Sequence, residues 1–236
     1  MWKFFLKISN FLIPKILFDF ICYLEGFRYY KISYSQSGED LVLIKYLKYK
    51  KINNGKYLDI GAFHPRWVSN THILHKKNFS GYCVDLDEER LKWFRFSRGK
   101  KVKTICGAVS NKNDETIKVY KFKRKSPFSL VDTTSLKHAE YFRNKGNGEY
   151  EIKNIKNYHI NDIFNIVGKI NVLNIDIESQ DFEVLKSSNL KIIDPEIILI
   201  EDNSGYFSSD KLTEFFLKQD YHLISINGLT KIFAKK

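Results

Sequence analysis

The chain has 236 residues, 43% of them hydrophobic, with only 12 glycines and 4 prolines. That suffices for one domain with a proper core plus at most an appendage, and it argues against long disordered linkers. A formal charge of +12 favours anionic surroundings such as nucleic acid, acidic lipid or phosphorylated glycan, without choosing among them.

The N-terminal segment from Trp2 to Leu24 is strongly apolar but is interrupted by Lys3, Lys7, Lys15 and Asp19 and broken by Pro14. A bilayer-crossing helix needs about 20 apolar residues with few charges, so the segment is a poor candidate for a span. No Ala-x-Ala-like cleavage site follows it, which argues against a signal peptide. On helices, Lys3, Lys7 and Asn10 share one face and Phe4, Phe5, Ile8, Phe11 and Leu12 the other. Such a face suits a helix lying in a membrane interface, or equally one packed on its own domain or in a dimer. Residues 1–33 are expected to form an amphipathic helical extension, and 34–236 the main domain. The cysteines, Cys22, Cys83 and Cys106, form no CxxC pair, and Cys83 and Cys106 read as buried thiols in apolar strands. This usage fits a reducing cytoplasm.

From Ser37 onward the pattern is orderly. Ser37 followed by Asp40 predicts a capped helix through Leu41, Ile44 and Leu47. Strands are predicted over 56–60, 81–85, 102–106, 116–122, 172–175 and 196–200. Helices are predicted from Ser69 to about Asn78 and over 88–98, 181–186 and 211–218. The stretch 123–148 is basic, polar and aperiodic, as expected of an insertion or lid near a substrate. Strands 221–226 and 231–234 close the chain as a hairpin about Asn227-Gly228. Strands alternating with helices imply an α/β domain with a mostly parallel sheet, helices on both faces and an antiparallel C-terminal hairpin.

Ligands of such sheets bind at the carboxyl ends of the strands, and three predicted ends carry acids. The first is Leu58-Asp59-Ile60-Gly61-Ala62, where a glycine admits close backbone approach and Asp59 could meet a positively charged part of a ligand. A bland reading, a strand-end turn with a capping acid, competes with it. The second is Asp85, placed to accept hydrogen bonds from a ribose diol, with Asp87 and Glu88 capping the next helix. The third is Asn174-Ile175-Asp176-Ile177-Glu178, whose acids could orient a hydroxyl, take its proton or help hold a divalent ion. Its bland reading has Glu178 solvated and Asp176 only positioning a cofactor. After Gly61 the chain reads Ala-Phe-His-Pro-Arg and lacks the further glycines of a dinucleotide oxidoreductase.

These segments together resemble the FkbM-type methyltransferase family. The resemblance begins at Tyr34-Ser-Gln-Ser-Gly-Glu-Asp40 and runs through Leu58-Asp-Ile-Gly-Ala-Phe-His-Pro65 and Ser69-Asn-Thr71. It continues in Gly81-Tyr-Cys-Val-Asp85, Ala108-Val-Ser110 and Asn174-Ile-Asp-Ile-Glu178, and ends with Glu183-Val-Leu-Lys186 and Ile197-Ile-Leu-Ile-Glu201. It implies the class I methyltransferase fold, a Rossmann-like seven-stranded sheet, with S-adenosylmethionine as cofactor. It further implies that Gln36, Glu39, Asp59, Gly61, Asn70 and Thr71 line the cofactor pocket. Asp85 would hold the ribose, Ala108 border the adenine, and Asp176 lie beside the methionine portion and the reacting centre. Two departures stand out. The chain has Glu178-Ser-Gln-Asp181 where the family commonly has Glu-Gly-Ala/His-Glu, and Asp85 where Glu is more frequent.

The resemblance implies O-methylation, often of a sugar hydroxyl in surface-glycan or related biosynthesis, and with the N-terminal segment the expected location is cytoplasmic, at the inner face of the membrane. Asp176, Glu178 and His64 are the candidates for activating the hydroxyl, with a divalent metal such as magnesium left open. His72 and His75, three apart on a helix, read as surface residues because no third ligand is near. Lys121-Phe-Lys-Arg-Lys125 could recognise an acidic glycan or be a solvated basic loop. A second reading is a non-catalytic cofactor- or glycan-binding module, kept open by the Glu178-Ser-Gln departure. A third is an RNA methyltransferase, prompted by charge. Against it, no Pro-Pro pair or Pro-Cys dipeptide occurs.

Overall fold

The computed structural model describes residues 15–122, 132–177, 180–202 and 211–236. The chain forms two compact units, Met1–Ser33 and Tyr34–Lys236. In the first, α1 (Lys15–Gly26) runs into a 3-10 turn at Phe27–Tyr29, and Leu17, Phe20 and Tyr23 are exposed on it. The two-faced pattern expected over residues 3–12 lies outside the described residues. Among those described, no helix is long and apolar enough to cross a membrane.

The second unit runs α2 (Glu39–Tyr49), β1 (Lys56–Ile60), α3 (His72–Lys76), β2 (Ser80–Asp85), α4 (Glu88–Arg98), β3 (Val102–Cys106), β4 (Ala108–Ser110), β5 (Thr116–Phe122) and β6 (Asp132–Thr133). It continues with α5 (Leu136–Phe142), β7 (Tyr150–His159), α6 (Ile160–Val167), β8 (Val172–Ile175), α7 (Asp181–Lys186), β9 (Ile197–Glu201), α8 (Lys211–Leu217), β10 (Tyr221–Asn227) and β11 (Thr230–Lys235).

Seven strands form the main sheet in the order β10-β11-β9-β8-β1-β2-β3. The five from β9 to β3 are parallel, and β11 is antiparallel to both β9 and β10. This is the arrangement of a class I methyltransferase domain. The direction of strand succession reverses between β1 and β8, which opens the ligand crevice there.

The strands read as continuous apolar runs because both faces are covered. Alternate residues serve two cores. Leu58, Ile60, Leu173, Ile175, Ile198 and Ile200 pack with α6, α7 and α8 through Ile163, Phe164, Val184 and Phe216. Tyr57, Cys83, Val172, Ile197 and Leu199 pack with α2, α3 and α4 through Leu43, Leu47, Leu74, Leu91 and Phe94.

The order of elements matches the sequence expectation in the main sheet, with the helix expected from Ser69 shortened to His72–Lys76, and departs from it in two further places. Helix α2 is not capped by Ser37. Its N-cap is Gly38 at φ 82°, and the carboxylates of Glu39 and Asp40 turn back to accept the N–H groups of Ser37 and Tyr34 at 2.7 and 2.8 Å. The second departure is larger. A separate four-stranded sheet, β4-β7-β5-β6, is not expected from the sequence: of its strands only β5 is predicted, and the stretch 123–148, expected to be aperiodic, holds β6 and helix α5. Ten-residue β7 pairs antiparallel with β5 along seven positions.

Candidate active site

A cavity of about 470 Å³ opens at the carboxyl ends of β1, β2 and β8. Its wall includes Asp59 and Gly61 from β1 and its turn, Asp85 ending β2, Asn174 and Asp176 around the end of β8, and Asp132–Thr134 from the second sheet. The strand succession thus brings together acids that lie far apart in the chain.

Gly61 is the point of closest backbone approach. Its φ is +82°, and a Cβ there would lie 1.7 Å from the carbonyl oxygen of Asp176. Any side chain would push the β1 turn off the β8 strand end. Across the same contact the Asp176 N–H donates to the Ile60 carbonyl at 2.9 Å.

Asp59 is 3% exposed, and each of its oxygens accepts from one protein donor. Thr71 Oγ1 donates to one oxygen at 2.5 Å and Asn174 Nδ2 to the other at 2.9 Å. Asn174 Oδ1 accepts from Asn70 Nδ2 at 2.9 Å, which fixes the amide's orientation. Burial pushes the Asp59 carboxyl above the usual carboxylate range, while Arg98, Thr71 and Asn174 pull it back.

Asp85 shows the same contest. Its Oδ1 accepts the Asp87 N–H at 2.7 Å, and Arg90 Nη1 stands 3.5 Å from Oδ2. Arg90 divides its charge, since Nη2 lies 3.6 Å from Asp132. Burial therefore outweighs a long, shared ion pair, and the Asp85 carboxyl is pushed up to about 7.

The loop after Gly61 supplies an aromatic wall. The His64 and Trp67 rings lie 4.2 Å apart at 35°, and Phe63 meets Trp67 edge-on at 5.6 Å. Val68, a β-branched residue, takes φ +50°, a strained backbone at the edge of the cavity. His64 Nδ1 accepts the N–H groups of Arg66 and Trp67 at 3.1 and 3.2 Å. Burial, then the nearby Arg98, lowers its pKa, so the ring is neutral with its proton on Nε2. In that tautomer His64 donates a hydrogen bond and has no lone pair left for a substrate proton.

Of the residues singled out from the sequence, Gln36, Asp59, Gly61, His64, Asn70, Asp85, Ala108 and Asp176 are on the cavity wall. Glu39 and Thr71 are not. Both are buried behind it, Glu39 binding the Ser37 N–H and Thr71 supporting Asp59. Glu178 lies outside the described residues. His72 is not a surface residue, being 9% exposed with Nδ1 2.9 Å from the Pro65 carbonyl. Burial and the neighbouring Arg98 hold its pKa down at about 4. Cys106 is only partly buried, whereas Cys83 is fully so. Among the described residues no group of three His, Cys, Asp or Glu side chains is arranged to hold a metal ion.

Sequence reasoning missed Arg90, Asp132, Asn174 and Arg98. Arg98 left a signal: it falls on the Leu91-Phe94 face of α4, an arginine where the apolar stripe should continue.

The residues present fit S-adenosylmethionine. The cavity is within the usual size range for small-ligand sites, roughly 300–1,000 Å³. Asp85 offers carboxylate oxygens to a ribose diol. Leu86, Gly107, Ala108 and Val109 give an apolar wall for a base, and Asp59 gives a buried carboxylate for a cationic end.

No curated protein sequence matches the chain. Among solved structures, a methyltransferase FkbM from Methylobacillus flagellatus KT is similar at 16% identity, with TM-score 0.45 over 77% of this chain. The chain spans only 44% of that protein's length. A TehB-like SAM-dependent methyltransferase from Corynebacterium glutamicum is similar at 12% identity, with TM-score 0.41 over 92% of this chain and 97% of that one. An O-methyltransferase from Bacillus cereus, in complex with SAH, is similar at 11% identity, with TM-score 0.40 over 97% and 94%. The model of the methyltransferase FkbM domain matches residues 59–223, from the Asp59 strand end to the penultimate strand. The chain therefore belongs to the FkbM methyltransferase family, whose cofactor is S-adenosylmethionine.

Proposed function

We propose that the protein is an S-adenosylmethionine-dependent O-methyltransferase acting on a sugar hydroxyl of a glycan or glycan precursor. The observation that carries the reading is the placement of two buried carboxylates, Asp59 and Asp85, on either side of the Gly61 turn in a cavity at the strand reversal. When bound, S-adenosylmethionine supplies an electrophilic methyl carbon.

The chain's own residues have three tasks. Asp85 accepts the ribose hydroxyls, and Asp59 with Asn70 and Asn174 holds the amino-acid end. The Phe63-His64-Trp67 wall excludes water and aligns the acceptor, the main contribution available to an in-line displacement. Asp176 is exposed at the mouth and is the group we assign to take the hydroxyl proton. His64, donating from Nε2, orients the acceptor. The exposed apolar side chains of α1 support a peripheral contact with an anionic membrane surface.

Thermal shift and turnover test the reading. S-adenosylhomocysteine should raise the melting temperature, and Asp59→Ala should abolish the rise. The protein should then consume S-adenosylmethionine in the presence of nucleotide-sugar or glycan pools, with mass spectrometry locating the methyl on oxygen. Arms with and without magnesium read the metal dependence. No thermal response at millimolar ligand would sink the cofactor assignment. Methylation of RNA alone would sink the acceptor class.

A further inference from the structure

Behind the cavity lies a buried arginine that the methyl-transfer scheme does not use. Arg98, the last residue of α4, is 3% exposed. A guanidinium has five N–H donors in a rigid fork, and here all five are taken. Nε and Nη2 donate to the Pro65 carbonyl at 3.1 and 2.8 Å, and Nη2 also to Ser69 Oγ at 3.0 Å. Nη1 donates to Tyr57 Oη at 2.8 Å and to Thr71 Oγ1 at 2.9 Å. The Phe94 ring covers one side, 4.8 Å from the guanidinium carbon.

The contact with Thr71 has a directional consequence. A hydroxyl has one proton, and an arginine can only donate. With Arg98 donating into the Thr71 oxygen, the Thr71 proton is free to point at Asp59, to which it donates at 2.5 Å. The same fork holds Pro65 and Ser69, which flank Trp67 of the aromatic wall.

We propose that Arg98 is a positioning residue that acts through Thr71 to fix the Asp59 carboxylate as a charged, oriented acceptor for the cationic amino-acid end of the cofactor. The inference rests on the cofactor reading above. A buried carboxylate without such donors would be expected to take up a proton rather than stay charged. The groups facing Asp59 are consistent with this division of labour. Arg98 approaches from α4, Tyr57 lies on β1 and Cys83 on β2, the last two pushed upward by burial and hence neutral. Asn174 comes from β8, with Asp176 beyond it at the strand end. His64, His72 and His75, all near Arg98, have lowered pKa values through burial first and Arg98 second.

The test is calorimetric titration of the full chain with S-adenosylhomocysteine and, separately, with adenosine, which lacks the amino-acid portion, at pH 6 and pH 8. Thr71→Val keeps the shape and removes the hydroxyl. It should weaken S-adenosylhomocysteine binding about tenfold at pH 6 relative to wild type and recover most of that at pH 8, as Asp59 ionises. Adenosine affinity should change less than twofold, and because adenosine also engages Asp85, it controls for titration there. Arg98→Lys, which keeps the charge but not the fork, should follow Arg98→Met rather than wild type. If the Arg98 variants do not fold, Thr71→Val carries the test alone.

Equal losses for both ligands at both pH values would mean a merely structural role and overturn the proposal, as would wild-type binding by Thr71→Val or full rescue by Arg98→Lys. Failure of the wild-type protein to bind S-adenosylhomocysteine is a separate outcome. It would remove the cofactor reading and, with it, this inference.

Discussion

The two sheets of the main unit are held together on different terms. The seven-stranded sheet is covered on both faces by large clusters of fully buried side chains. Among the described residues the second sheet has a cluster of its own of three buried residues, Tyr120, Phe122 and Ala139, with Phe142 and Tyr150 packed against it, while Val109 of β4 packs in the main core. Both reach the cavity. The first contributes the acids that fit the cofactor, and the second contributes Ala108, Val109 and Asp132–Thr134, with Asp132 sharing Arg90 with Asp85. A dense scaffold is suited to a ligand that never changes, and a lightly packed sheet can vary with the acceptor at little cost to folding.

That contrast fails first at Gly61 if it fails at all. Gly61→Ala combines a positive φ with a Cβ driven into the Asp176 carbonyl. The expected cost is at least ~2 kcal/mol of stability, with cofactor binding lost. Urea unfolding and calorimetric titration would measure the two. A variant that is stable and binds normally would show the β1–β8 contact to be softer than the scaffold argument allows.

Asp85 sharpens the comparison through pH. Its carboxyl is raised by burial to about 7, so the neutral form is favoured in the folded protein. The stability this contributes is full below the unfolded value, about 4, and is lost as pH rises through the folded one. The ligand-free protein should therefore melt progressively lower as pH rises across that interval, and Asp85→Asn should flatten the profile. Ligand binding has the opposite sign, because the ribose diol needs the ionised acceptor. Affinity for S-adenosylhomocysteine should tighten from pH 6 to pH 8 in the wild type, and in Asp85→Asn should be flat and about tenfold weaker. A flat wild-type profile would mean that Arg90 holds Asp85 ionised throughout.

The same contrast explains what the sequence discloses. Strands such as Val172–Ile175 and Ile197–Glu201 are buried on both faces and appear as unbroken apolar runs between turn signals. The acids at their ends stand out against such runs, which made Asp59, Asp85 and Asp176 visible. The second sheet has no comparable signal. Tyr150–His159 is half exposed, with one buried residue, and carries Lys, Asn and Glu through its length, and β6 is two residues long. Helix Ile160–Val167 does carry apolar residues at i, i+3, i+4 and i+7, at Ile160, Ile163, Phe164 and Val167, but the polar strand before it hides its start. Pairings that cross the chain leave no local trace at all. Nothing in the spacing of Asp59, Thr71, Arg98 and Asn174 shows that they share one hydrogen-bonded chain.

The smallest effect is expected at an exposed position on the Tyr120 face of the second sheet. Ile152 pairs with Tyr120 across β5 and β7 and is 58% exposed, so its side chain contributes little to the three-residue core. Threonine keeps the β-branch that suits a strand and removes only exposed apolar surface. Ile152→Thr should change stability by no more than about 0.5 kcal/mol and leave S-adenosylhomocysteine affinity unchanged. Chemical denaturation and titration at one pH suffice to check it. A loss several times larger would mean that this face is covered in the working protein, by a second copy or by the acceptor itself. The second sheet would then be an interface whose packing is completed on binding, and its thin core would reflect that missing contact.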